Sequence, residues 1–188
     1  MALILGLFFS SFLIPRPLSE SERNELGLVL FDSPRPLYDF EMQDQNGEPV
    51  NLESLKGSWN LLFFAFTSCP DICPTTLSLV SKAYSELEMP VRIIMVTVDP
   101  DRDSLEILKN YLGSFNEEFI GYRGEFDETV KLAQQLNVAF GKIPGSQPGT
   151  YTMDHNASLA LVDSGGNYVG FIKSPQSSSN IKTILNSF

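Results

Sequence analysis

Two cysteines and a single histidine are the residues of this 188-residue chain best suited to a thiol or soft-metal centre. Cys69 and Cys73 stand in the segment TSCPDICPTTL with three residues between them. If that segment opens a helix, a spacing of four puts both sulfurs on one face. A helix N-terminus offers free N–H groups and the positive end of the dipole. Both favour the thiolate, the form that binds metal or attacks disulfides. Pro70 and Pro74 suit a first turn, where a missing N–H costs little. Cα atoms four apart on a helix lie roughly 6 Å from each other, inside the disulfide window. The pair therefore reads as a redox dithiol, a metal site, or both. The plainer alternatives are two buried thiols packed as small hydrophobes and a permanent structural disulfide. Adjacent sulfurs also suit a soft, low-coordinate ion such as Cu(I).

His155 lies in YTMDHNASLALVD, read as a loop just before a strand. By itself it would pass for an exposed loop residue. Structural zinc wants four closed ligands, whereas the chain has three N/S donors, with Asp71 or Asp154 as the available oxygen. Asp99, Asp101 and Asp103 around Arg102 lack the glycine and distal glutamate of a calcium loop. They read as a capped, salt-bridged turn.

The surrounding pattern supplies the elements that would bring these residues together. Residues 60–67 (NLLFFAFT) and 91–98 (VRIIMVTV) are apolar nearly throughout, as in strands covered on both faces. Between them Leu77, Val80, Tyr84 and Leu87 mark a helix over 75–87. Asp103 with Glu106 resembles a capping box opening a helix to Leu112. A short strand at 119–122 and a helix from Asp127 to Leu136 follow. Strands at 158–162 and 168–172 flank the turn Ser164-Gly165-Gly166-Asn167, and a terminal helix starts at Ser178 or Ser179. Near the start, Asp44-Gln45-Asn46-Gly47 reads as a hairpin turn. Gly141 to Met153, rich in glycine and proline, reads as a mobile loop beside His155. The order predicts an α/β fold of the thioredoxin-like class in its larger, peroxiredoxin-like form. It has an N-terminal hairpin and a central mixed sheet flanked by helices. In such a fold the loop bearing His155 approaches the cysteine helix, so a Cys₂His set becomes possible.

Composition narrows the field. Hydrophobic residues make up 43% and charged residues 19%, enough for a packed core. Thirteen basic against 23 acidic side chains give a net charge of −10. That argues against nucleic acid as a partner. Residues 2–14 (ALILGLFFSSFLI) carry no charge. As a helix they would span about 20 Å, short of the hydrocarbon core, so 1–14 reads as a membrane anchor or signal segment. A start codon placed too late would explain the missing basic flank. Residues 15–36, with four prolines, read as a linker, and 37–188 as the domain.

The chain resembles the Sco/SenC family of copper-binding assembly factors for cytochrome c oxidase, from about Tyr38 to the C-terminus. The segment TxCPDxCP is present as Thr67, Cys69, Pro70, Asp71, Cys73 and Pro74. The Asp154-His155 pair precedes a strand, and VDPxRD appears from Val98 to Asp103. Asn156 stands where the family commonly has Ser. The resemblance implies Cys69, Cys73 and His155 as copper ligands, for Cu(I) and also for Cu(II). It further implies a membrane tether with the domain on the exported side. The absence of an Arg-rich, Ser-rich presequence favours a bacterial inner membrane, with the domain facing the periplasm or extracytoplasmic side.

Two functions follow as expectations. The first is a copper chaperone delivering its ion to the dinuclear copper site of cytochrome c oxidase subunit II. The second is an exported thiol-disulfide oxidoreductase in which Cys69 and Cys73 are catalytic and His155 is dispensable. Against the second, no proline directly precedes the strand at 158, where thioredoxin-like reductases place one. A thiol peroxidase is a third, weaker reading.

Overall fold

The computed structural model describes residues 16–188. The proposed anchor or signal at 1–14 lies outside them. No helix among the described residues is long and apolar enough to cross a membrane.

The two apolar runs form the centre of the molecule. Strand β4 (Trp59–Ala65) pairs in parallel with β5 (Val91–Thr97), and β5 with β6 (Ile120–Arg123). Residues 61–66 and 93–96 are almost wholly buried because both faces of the sheet are covered. Helix α2 (Ile72–Tyr84) makes the crossover from β4 to β5, and α3 (Leu105–Gly113) that from β5 to β6. Helix α4 (Phe126–Gln135) follows β6. Strands β9 (Leu159–Val162) and β10 (Asn167–Ile172) form the closing hairpin, with β9 antiparallel to β4. The terminal helix α5 (Ser178–Leu185) packs beside α2. Strands β2 (Met42–Asp44) and β3 (Pro49–Val50) form the N-terminal hairpin on the far edge, beside β6. Gly47 adopts φ 85° in its turn, a conformation that costs glycine nothing. The fold is the thioredoxin-like α/β class expected, with a central mixed sheet flanked by helices.

Three local expectations are corrected. Residues 15–36 are not simply a tether. Within them α1 (Glu20–Leu26) is closed by a Ser19/Glu22 capping box, and β1 (Leu28–Pro36) pairs antiparallel with β10. The sheet order is thus β1-β10-β9-β4-β5-β6-β2-β3. Pro34 and Pro36 masked the strand. They are tolerated because β1 is an edge whose second half is exposed. Phe31 fastens it by packing edge-on against Tyr168 at 4.8 Å.

The span from Gly141 to Met153 is not a structureless loop. Strands β7 (Phe140–Pro144) and β8 (Tyr151–His155) form a two-stranded antiparallel arm of their own. The cap of α3 is Ser104, whose hydroxyl accepts the Ile107 N–H at 3.2 Å. Asp103 is drawn inward instead.

Candidate metal centre

At the end of β4 the chain turns sharply into α2. Buried Asp103 sets this turn: it accepts the Thr67 hydroxyl at 2.6 Å, the Thr67 N–H at 3.1 Å and the Thr97 hydroxyl at 2.6 Å. The ends of β4 and β5 are thereby pinned to one carboxylate, and the three donors satisfy it. The Cys69 N–H then donates to Phe66 O at 3.2 Å, closing the turn.

Cys69 itself precedes the helix, which begins at Ile72. The pair therefore does not share a helical face, as the spacing alone suggested. Instead the Cys73 N–H, one of the unpaired donors of the first helical turn, points at Cys69 Sγ at 3.4 Å. Cys69 is half-buried at the rim and Cys73 is fully buried; neither is in a disulfide.

The imidazole arrives from the other side. His155 ends β8, and Asn156 N–H donates to Ala139 O at 3.0 Å, closing the base of the arm. The ring packs edge-on against Phe63 and Phe66, with centroids 6.1 and 5.9 Å away. Its Nδ1 faces the Asn156 carbonyl at 3.2 Å. A carbonyl can only accept, so Nδ1 carries the proton and Nε2 keeps a free lone pair. That lone pair points at Cys73 Sγ, 3.3 Å away.

Cys69, Cys73 and His155 thus converge, with their donor atoms all within 4.8 Å of one another. Donors about 2.0–2.3 Å from a shared ion in a trigonal plane stand about 4 Å apart, so the observed spread needs little adjustment. Two sulfurs and an imidazole nitrogen form a soft donor set of the kind that suits copper. Asp71 and Asp154 do not join this group among the described residues. Both are exposed, and no fourth ligand closes a zinc cage.

The electrostatics differ in one respect from expectation. Burial pushes the Cys73 thiol far above the ordinary range, and Cys69 adds to the shift. Desolvation outweighs the helix terminus here because Cys73 faces the core. Burial also lowers the His155 pKa, against weaker opposing effects from the Asn156 carbonyl and Asp154. Its neutral, ligating form is therefore favoured.

The aspartate loop is salt-bridged, as read from the sequence: Asp99 pairs with Arg102, and Asp101 with Lys142 at 2.6 Å. Composition did not reveal that Phe63 and Phe66 pack against the imidazole, nor that His155 ends a strand. The alternation of Tyr151, Met153 and His155 was the available signal, since period two marks a strand.

A thioredoxin-like domain with a Cys₂His cluster at the mouth of its first crossover helix defines a narrow class. A family model described as SCO1/SenC matches residues 33–188, and the chain belongs to that family. The SCO2-like protein of Rickettsia felis is 36% identical over 135 residues, 70% of this chain and 66% of its own length. The chain thus spans just under two thirds of that relative. Bradyrhizobium japonicum ScoI, solved with copper bound, superposes with a TM-score of 0.72 at 35% identity, over 80% of this chain and 97% of that one. BsSco, described by a disulfide switch and as a member of the Sco family of cytochrome c oxidase assembly proteins, gives a TM-score of 0.65. Its identity is 25%, over 84% of this chain and 96% of that one.

Proposed function

We propose that this protein is a copper chaperone for oxidase assembly. Cys69, Cys73 and His155 bind the ion and pass it to the dinuclear copper site of cytochrome c oxidase subunit II. Residues 1–14 tether the domain to a bacterial inner membrane, on its periplasmic or extracytoplasmic side. The observation that carries this reading is the convergence of one imidazole and two sulfurs from segments 82 positions apart. The copper-bound ScoI relative and the oxidase-assembly description of BsSco support it.

The chemistry follows from the surroundings. Cys73 is fully buried and His155 is half-buried against Phe63 and Phe66, whereas Cys69 lies at the rim. Copper is the cargo, and three ligands leave it open to a fourth. A thiolate or imidazole from a partner can join at the exposed side and displace Cys69 first. A closed cage would block that exchange.

The rival reading, a thiol-disulfide oxidoreductase, draws support from the two free, neighbouring cysteines. Two features weigh against it. The imidazole occupies the space beside Cys73, and burial keeps Cys73 protonated.

Copper titration of the reduced protein tests the proposal, followed by mixing with the metal-free copper domain of subunit II. Stoichiometric binding that requires both cysteines, with transfer on mixing, is expected. Retention of copper beside an empty acceptor, together with turnover of a disulfide substrate, would favour the reductase.

A further inference from the structure

The arm that carries His155 is a two-stranded hairpin outside the main sheet, and such hairpins are marginal alone. Something else must fix its angle. Phe140 packs edge-on against Phe126 of α4 and Met153 is buried in the core, and the polar ties come from the aspartate loop after β5. Asp99 is fully buried, and its two oxygens are both engaged: one pairs with Arg102 Nε, the other accepts the Tyr151 hydroxyl at 2.8 Å. Arg102 Nη1 donates to the Tyr151 main-chain carbonyl at 3.2 Å. The guanidinium carbon lies 4.1 Å from the Tyr151 ring centre and 5.8 Å from that of Phe66. Phe66 in turn packs edge-on against His155. One buried carboxylate therefore orients a cation that grips β8 by both ring and main chain.

Tyr151 and His155 are four apart on one strand, so their side chains project to the same face. A tilt at Tyr151 is carried directly to the imidazole. The exposed pair Lys142–Asp101 also joins arm to loop, but at such exposure it contributes little. We infer that Arg102, oriented by Asp99 and stacked on Tyr151, is a positioning residue that sets how His155 meets the two sulfurs. The grip of the third metal ligand is thus governed from the loop after β5. This rests on the Cys₂His reading proposed above. Groups that orient a metal ligand typically account for about ten- to a hundredfold in affinity.

A double-mutant cycle tests it, using Cu(I) in competition with a chromophoric Cu(I) chelator. The four proteins are the natural sequence, Arg102→Gln, His155→Ala and the double variant. Arg102→Gln is expected to weaken Cu(I) binding about tenfold when His155 is present and less than about twofold when it is absent. An equal loss in both backgrounds, or none in either, overturns the inference. If His155→Ala alone changes nothing, the Cys₂His reading itself fails, and the inference with it. Tyr151→Leu gives the same cycle should Arg102→Gln not fold. Amide exchange of the metal-free protein adds a readout independent of copper. Faster exchange across β7 and β8 in Arg102→Gln, with β5 still protected, is expected. Unchanged protection of the arm contradicts it.

Discussion

The Nε2 of His155 stands 3.3 Å from Cys73 Sγ, although 82 positions separate the two residues. Neither chain segment alone explains the meeting. The turn into α2 holds the sulfur and the β7–β8 arm holds the ring, while Phe63 and Phe66 at the end of β4 pack edge-on against the imidazole.

Proton release on metal binding follows from the buried thiol. Cys73 is held protonated by burial, so binding must displace its proton. At least one proton per Cu(I) is expected in a weakly buffered titration, with apparent affinity rising as pH rises. Uptake of copper without proton release would mean that Cys73 is not a ligand.

Thiol labelling gives a second check. In the metal-free protein an alkylating reagent at pH 8 is expected to modify rim-placed Cys69 well before Cys73. Mass mapping of the labelled peptides checks the order, and faster reaction at Cys73 would contradict the burial described.

The stability of the metal-free fold is expected to depend on pH through His155. Its pKa is lowered in the folded state, so the unfolded chain binds the proton more readily. Stability is then fully present above the unfolded value of about 6.5 and declines as pH falls from there through the lowered folded value. Urea midpoints between pH 7.5 and 5 measure this, and His155→Ala should flatten the profile.

Much of this centre was legible in the sequence, for physical reasons. The doubly covered strands β4 and β5 declare themselves as unbroken apolar runs, and the two cysteines follow directly from the first. His155 is the chain's only histidine, so its candidacy needed no geometry. The arm was hidden because glycine and proline at its tip outweighed the alternation of Tyr151, Met153 and His155. Strand β1 was hidden because only Leu28 of its nine residues is buried. The protonation of Cys73 was illegible, since burial depends on what packs from elsewhere.

The edge strand supplies its own test. Leu28→Ala removes a side chain that is 3% exposed and is expected to cost about 2–4 kcal/mol in denaturant unfolding. A change under about 0.5 kcal/mol, as typical of surface sites, would return this segment to a tether.

Asp103 should matter to the fold more than to the metal. Asp103→Ala leaves the Thr67 N–H and two hydroxyls without their acceptor, an expected loss of about 2–4 kcal/mol by urea denaturation. Loss below about 1 kcal/mol would show that water replaces the carboxylate.

X-ray absorption of the Cu(I)-loaded protein addresses the ligand set most directly. The expected coordination is two sulfurs and one imidazole nitrogen, with the nitrogen shell vanishing in His155→Ala. A spectrum of sulfur alone, unchanged by that substitution, would contradict it.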